Sequence, residues 1–352
     1  MKNIKYGSIG IVLLATLFTA CKSEDHAAHR PILNINYPAA YVANGSSNDI
    51  SVIKLSDNTV TETIGLNGAK FPHHLYLNPA KTKLAVAITS TDLSAGHDAA
   101  HGGGTGGFKV QIIDVVSGAI DKEILLSKMP HNAIFNANGT ELWVGQSDDV
   151  QSKILVYKTS DWTLQQTLTV GKGLSEITFS ADGSTVFACN TQDNSVTLID
   201  ANSKNIHKTL AVGQDPVGAW AASNGNMYVD NEKGKTISEI SVSSKTVTET
   251  IPLSYTPAYV AFHQASQELW VSDATNGKIH IYKRNATTTK WQETKEFATG
   301  ADAHAIIFTT DGTKAYITNQ GNATVSVVNV ATHTIMKTIG VGTKPNGIAL
   351  KE

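Results

Sequence analysis

The amino-acid sequence predicts an all-β fold, a seven-bladed β-propeller of four-stranded antiparallel blades closed by the C-terminal strand. One apolar strand motif recurs seven times, mostly at intervals of roughly 40 to 45 residues, which is typical of propeller blades. Strands with alternating apolar residues follow each copy, and no segment of this region has the helical period. The last strand-like segment also supplies a strand that the first repeat lacks.

Each repeat contains four strand-like segments, counted outward from the central channel. The second segment is the recurring motif, with copies that begin at Ala40, Leu84, Leu142, Val186, Met227, Leu269 and Ala315. The third alternates as a half-buried strand does, with copies that begin at Ile50, Val110, Ile154, Val196, Ile237, Ile279 and Val325. The fourth follows a short polar turn and is clearest at Thr61, Gln165, His207, Thr248 and Met336.

The first segment of a repeat follows a Gly or Pro break, as in residues 133–135, and should form the inner strand of a new blade. Asn-Gly or Asp-Gly dipeptides separate it from the second segment at positions 138–139, 182–183, 224–225 and 311–312. These residues tolerate the positive φ that tight hairpins need. The turns therefore predict antiparallel pairing of the first two strands of each blade.

The two ends of the repeat region complement each other. The first repeat starts with the strand around Tyr41 and lacks an inner strand, whereas the chain stops just after residues 345–350, which match one. We therefore expect the C-terminus to close blade one. Such closure pairs two sheet edges whose free amides would otherwise promote aggregation.

The best copy of the repeat is the segment 322–342, with the sequence NATVSVVNVATHTIMKTIGVG. It resembles the repeat of the YVTN family of β-propellers, and the resemblance covers residues 40–350. The resemblance implies the propeller fold. It does not indicate one activity, because this family includes binding, scaffold and enzyme-like members.

The N-terminus has the features of a bacterial lipoprotein signal peptide. Lys2 and Lys5 precede a largely apolar stretch, residues 9–18, which is too short to span a bilayer that needs roughly twenty residues. Residues 18–21 resemble a lipobox, with Phe18 where Leu is usual. We predict a signal peptide over 1–20, a lipidated tether over 21–36 and the propeller over 37–352.

A lipid on Cys21 would make the membrane a partner of the mature chain without a transmembrane helix. The acidic residues Glu24 and Asp25 follow closely. In some Gram-negative bacteria such a stretch resembles a signal for surface display, so an outer membrane lipoprotein facing either the cell surface or the periplasm is expected.

The composition excludes some function classes. The chain has 28 basic and 30 acidic residues and no basic stripe, which argues against nucleic-acid binding. Cys189 lies in an apolar run and is expected to pack as a buried hydrophobe. We expect a monomer.

Histidines mark one opening of the predicted channel. The residues at one equivalent position at the start of the inner strands are His73, His131, Ser175, Val217, Ala258, His304 and Asn346. Blade two also carries a glycine-rich insertion with His97 and His101, on the same side. Imidazole is a common transition-metal ligand, so a Zn²⁺ or Cu²⁺ site of His73, His131 and His304 with His97 or His101 is one hypothesis. The alternative is a solvated polar opening without metal. His74 is expected to face the other way and pack between blades.

Two functions remain open on this basis. One is a binding protein that presents a small ligand, a metal or a partner protein to polar residues near the opening, which are Asn132, Glu176, Asp215, Tyr259 and Asn346. The other is a metal-dependent hydrolase of the lactonase kind, or an oxidoreductase, that uses the histidines. The sequence offers possible ligands but no second aligned acid, which favours binding over catalysis.

Overall fold

The computed structural model of the chain describes Met1, residues 32–94 and residues 107–352. Residues 2–20 of the predicted signal peptide, Cys21, most of the tether and the insertion histidines His97 and His101 lie outside the described residues. Residues 33–352 form one compact unit. None of the helices in the described ranges is long and apolar enough to cross a membrane.

The described chain forms 28 strands and one short 3-10 turn at Thr191–Asp193. The strands of the first half are β1 Ala39–Asn44, β2 Asp49–Lys54, β3 Thr59–Gly65, β4 Pro72–Leu77, β5 Lys83–Ile88, β6 Lys109–Asp114, β7 Ile120–Leu125, β8 Ala133–Phe135, β9 Glu141–Gln146, β10 Lys153–Lys158, β11 Leu164–Thr169, β12 Leu174–Phe179, β13 Thr185–Asn190 and β14 Ser195–Asp200. Those of the second half are β15 Ile206–Ala211, β16 Pro216–Ala221, β17 Asn226–Asn231, β18 Thr236–Ser241, β19 Thr246–Pro252, β20 Pro257–His263, β21 Glu268–Asp273, β22 Lys278–Arg284, β23 Trp291–Ala298, β24 Ala303–Phe308, β25 Lys314–Asn319, β26 Thr324–Asn329, β27 Thr334–Gly340 and β28 Pro345–Lys351.

These strands form seven antiparallel four-stranded sheets, which confirms the predicted seven-bladed propeller. Blade one has the order β28-β1-β2-β3, so the C-terminal strand is its inner strand, as predicted. Blades two to seven each use four consecutive strands, beginning with β4, β8, β12, β16, β20 and β24. We call the face of the ring on which these inner strands begin the mouth.

The hydrophobic core lies between neighbouring blades. The second strand of each blade is buried along almost its whole length, and the largest fully buried side chains there are Tyr41, Trp143, Phe187, Tyr228, Trp270 and Tyr316. Their flat rings fill the wedge between two sheets, as in the contact between Trp270 and Phe308 at 5.1 Å. Packing of this kind explains why six of the seven copies of the recurring motif carry an aromatic residue at the second position, where blade two has Ala85.

In four of the blades, an asparagine that ends the second strand bonds side chains of the third strand of the same blade. In blade one the Asn44 amide donates to Asp49 and Ser51 on the neighbouring strand, at 2.7 and 2.8 Å. Asn190, Asn231 and Asn319 make equivalent bonds. A glycine covers each amide so closely that a Cβ on Gly342 would lie 2.6 Å from Asn44 Cγ. The repeat therefore needs both residue types.

The start of the inner strands is irregular. Phe71, Asp215, Asp302 and Lys344 have positive φ just before β4, β16, β24 and β28, and the pairing register then shifts within the first residues of most inner strands. A β-bulge of this kind interrupts the strict alternation of side chains. Two consecutive residues can then face the channel.

The chain joins the propeller on the face opposite the mouth. Ala39 of β1 pairs with Lys351, the last residue of β28, and β28 begins at the mouth. Before β1, the backbone amides of Leu33 and Ile35 donate to carbonyls of the turn between β6 and β7. Lys351 Nζ donates to the Ile35 carbonyl at 2.6 Å.

Candidate metal centre in the channel

Three histidine rings from two blades meet in the channel. His73 and His74 lie in β4, and His131 lies just before β8. Their ring centroids are 4.4 to 5.1 Å apart, and one ligand atom from each lies within 4.8 Å of the others. All three side chains are buried. We call this group the trihistidine cluster.

The prediction that His74 packs between blades is wrong. The bulge in β4 shifts the register between Pro72 and Leu75, so His73 and His74 lie on the same side of the strand. Alternation would have separated them. The bulge and the positive φ of Phe71 that precedes it are visible only in the structure, so the alternation rule placed His74 on the wrong side.

A buried carboxylate holds two of these rings. Glu176 of β12 has no exposed surface, and its Oε2 lies 2.9 Å from His131 Nδ1 and 3.2 Å from His74 Nδ1. Its Oε1 accepts from Asn132 Nδ2 at 2.6 Å and from the Tyr76 hydroxyl. Four donors from two neighbouring blades therefore surround one carboxylate.

The ionised form of Glu176 favours one arrangement of the ring protons. Burial alone would raise the pKa of Glu176, but its interactions with His74 and His131 hold that pKa below its usual range. Burial and the charge of Glu176 raise the pKa of Tyr76, which therefore stays a donor. Because an ionised carboxylate can only accept, His74 and His131 each carry a proton on Nδ1.

In the neutral form with the proton on Nδ1, each of these two rings has its Nε2 lone pair on the side away from Glu176. His74 Nε2 is buried and has no hydrogen-bond partner among the described residues. Metal-ligating histidines commonly donate their other ring N–H to a carboxylate, which fixes the ring and raises its basicity. The position of Glu176 behind His74 and His131 matches that arrangement.

The ring spacing suits a shared ion. Two imidazoles that bind one ion at metal–nitrogen distances of about 2.0–2.1 Å have ring centroids about 4.5–6.5 Å apart for angles of a right angle or wider. The separations within the trihistidine cluster are close to or inside this range. His304 is further out, with its ring 6.1 Å from that of His74, and it is not within the close group of ligand atoms.

A pocket of about 320 Å³ opens beside His304. We call it the mouth pocket. Its lining includes Leu93, Glu232, Asp302, His304, Gln320 and Asn346. Leu93 belongs to the described start of the blade-two insertion, residues 89–108, so this end of the insertion lies at the mouth, on the side predicted from the topology.

The other predicted ligand-binding residues lie at different places around the channel and its mouth. Asn132 is fully buried and, besides Glu176, bonds the backbone of Ile177. Tyr259 stacks on Trp220 with centroids 3.6 Å apart and lies 6.3 Å from His304. Asp215 lies 3.4 Å from Lys233. Asn346 is 5% exposed and lines the mouth pocket.

A second group of possible ligands lies in blade six. His280 Nδ1 is 2.8 Å from Glu293 and 3.7 Å from Glu296. Lys278 already pairs with Glu296 at 2.5 Å, and His280 stacks on Tyr255. This arrangement satisfies its own charges without an ion.

Comparisons with known proteins support the fold. No protein-family description matches the sequence, and no curated protein matches it either. Solved structures do match. A periplasmic gluconolactonase of Pseudomonas aeruginosa superposes with a TM-score of 0.70 at 14% identity, covering 90% of this chain and 99% of that one. A candidate 6-phosphogluconolactonase of Bacteroides fragilis superposes with a TM-score of 0.71 at 12% identity, covering 90% of this chain and 99% of that one. Hydrazine synthase of Kuenenia stuttgartiensis superposes with a TM-score of 0.64 at 14% identity, covering 78% of this chain and 88% of that one.

These proteins carry different chemistry on one architecture at very low identity. The likeness establishes that the chain is a seven-bladed β-propeller, and its function has to be argued from the channel.

Proposed function

We propose that this chain is an exported, lipid-anchored propeller of the YVTN kind that binds one divalent transition-metal ion at the trihistidine cluster. The observation that carries the proposal is the convergence of three buried imidazoles within 4.8 Å. Two of them are held by the buried carboxylate of Glu176. Zn²⁺ and Cu²⁺ are the candidate ions, since both accept imidazole nitrogen.

The cost of burying polar atoms also favours a bound ion over three histidines that only stabilise the fold. Buried polar atoms are costly unless they are paired, and His74 Nε2 has no hydrogen-bond partner in the described ranges. An ion bound to Nε2 would satisfy it. The ionised Glu176 would offset part of the added charge in a place nearly closed to water.

Three histidine ligands leave at least one coordination position of the ion for another ligand. Tetrahedral Zn²⁺ with three histidines keeps a fourth position for water or another ligand. The mouth pocket lies on the His304 side of the cluster, so an external molecule could approach from there. Binding of an ion with an exchangeable ligand is therefore the function that the geometry supports best.

Metal titration tests this proposal. The mature protein, freed of metal by a chelator and dialysed, is titrated with Zn²⁺ and with Cu²⁺ and assayed by calorimetry and elemental analysis. We expect one ion per chain and at least a hundredfold weaker binding in His131→Ala, because a ligand is lost. The control is His207→Ala, a surface histidine paired with Asp200. Absence of stoichiometric binding at micromolar metal would refute the proposal.

Lactone hydrolysis is the second candidate. The observation that favours it is the shared fold with a periplasmic gluconolactonase, together with a three-histidine set of the kind that can activate metal-bound water. Hydrolysis of gluconolactone by the metal-loaded protein, compared with the metal-free protein and with His131→Ala, tests it. Equal rates in all three samples would rule it out.

The anchor has its own test. Cys21→Ser should move the protein from the membrane fraction to the soluble fraction, because acyl chains can no longer be attached. Metal binding should be unchanged, since Cys21 precedes the propeller. Membrane association that persists after a high-salt wash would contradict lipidation.

A further inference from the structure

We propose that the mouth pocket is an outer capture site for the metal ion, and that His304 passes the ion from this pocket to the trihistidine cluster. The inference rests on the proposed metal binding and adds a route and a residue to it. The trihistidine cluster is nearly closed to water. His73, His74 and His131 are 3 to 4% exposed, so a hydrated ion needs intermediate ligands on its way in.

The chemistry of the pocket lining suits a cation. The described residues that line it include the carboxylates of Glu232 and Asp302 but no lysine or arginine. Asn346 lines it as well, and its Oδ1 is buried without a hydrogen-bond partner among the described residues. Carboxylate and amide oxygens accept hydrogen bonds from hydrated ions and can bind the ions directly. The lining therefore offers oxygen acceptors to a hydrated ion that enters the pocket.

One positive charge near the pocket belongs to Lys344. Lys344 lies 3.2 Å from Asp302, and both side chains are about one-third exposed. An exposed ion pair of this kind is weak, so an ion can compete with the lysine. Electrostatic attraction into a cleft of one sign raises association rates about 10 to 10³-fold at low salt.

His304 connects the two sites. It lines the mouth pocket, and its ring stands edge-on to that of His74 at 6.1 Å. This separation lies inside the range of about 4.5–6.5 Å expected for two imidazoles on one ion. An ion held by His304 can therefore be taken up by His74 before it leaves His304. Its exclusion from the closest group of ligand atoms fits a transfer ligand better than a permanent one.

Stopped-flow uptake of Cu²⁺ by the mature, metal-free protein tests the route. Trp220 lies 6.3 Å from His74, so quenching of its fluorescence reports arrival at the cluster. We expect His304→Gln to slow uptake at least tenfold while equilibrium affinity changes less than threefold. Glu232→Gln with Asp302→Asn should slow uptake about tenfold at low salt and much less at 0.5 M salt. The control is Asp161→Asn, which removes a carboxylate beside Lys158 in an outer turn and should leave the rate unchanged.

The outcomes separate the two claims. If the unsubstituted protein takes up no Cu²⁺ or Zn²⁺, the proposed metal binding itself fails. If it binds metal but His304→Gln takes it up at the original rate, the transfer role is overturned. If His304→Gln weakens equilibrium affinity as much as His131→Ala, His304 is a permanent fourth ligand and the transfer role is likewise overturned.

Discussion

Glu176 Oε2 lies 2.9 Å from His131 Nδ1 across the boundary between blades four and three, although the two residues are 45 positions apart. That separation is about one repeat, and Glu176 directly follows Ser175, the equivalent of His131 in the next blade, so the starts of successive inner strands become neighbours around the channel. The contact joins a buried negative charge to a ring that points at the channel.

Glu176→Gln tests whether this carboxylate orients the rings. We expect metal affinity to fall about 10- to 100-fold, as for lost carboxylate partners of metal-binding histidines. Calorimetric titration with Zn²⁺ measures it, and circular dichroism checks that the blades persist. Glu141→Gln, which loses a carboxylate beside Trp143 and Lys204, should bind as the parent does. Unchanged affinity in Glu176→Gln would contradict the orienting role.

Gly342→Ala should destabilise the propeller. Its Cβ would lie 2.6 Å from Asn44 Cγ, and overpacking of this kind costs about 1–3 kcal/mol. Gly340→Ala is a matched control two residues away, because a Cβ there meets nothing within 4 Å and its φ is not positive. Urea unfolding of both variants measures the difference. Equal stability would show that the blade shifts to make room.

Asp114 should make part of the stability depend on pH. Burial would raise its pKa, but backbone donation from Ser117 and the charge of Lys83 lower it from 3.8 to about 2. A lowered folded-state pKa stabilises the protein above the unfolded-state value, and this contribution is lost as the pH falls from about 4 towards 2. The full contribution is on the order of 2 kcal/mol.

Asp114→Asn is the variant that isolates this effect. Compared with the parent by urea unfolding, it should be less stable at pH 7, and the deficit should shrink to about half at pH 3. A deficit that stays constant between these pH values would mean that the carboxylate charge is not responsible.

Removal of residues 345–352 should abolish cooperative folding. This deletion takes away β28, the inner strand of blade one, and leaves the edge of β1 unpaired. We expect aggregation at micromolar concentration, measured by light scattering and thermal unfolding. Deletion of Glu352 alone removes only its bonds to Thr310 and should leave a folded protein.

Much of the fold could be predicted from the sequence because each repeat combines apolar alternation with turn residues. The seven second strands, from the one around Tyr41 to the one around Tyr316, and the closure of blade one follow from these local rules. The cluster could be predicted only in part. His73 and His131 occupy equivalent positions, which the repeat reveals. His74 was missed because a bulge breaks alternation, and bulges leave no clear pattern in side-chain types.

The role of Glu176 could also be predicted from the sequence only in part. Its position near the mouth follows from the repeat, but its four hydrogen-bond donors come from two other inner strands. Which side chains meet across blades depends on ring closure and on side-chain conformation. Neither can be read from one sequence.

The point at which the chain enters the propeller lies away from the trihistidine cluster. Residues 33–35 bond to the turn between β6 and β7, and β1 starts beside the end of β28, on the side away from the histidines. A molecule that approaches the trihistidine cluster through the mouth therefore meets the ring on the face opposite to residues 33–35.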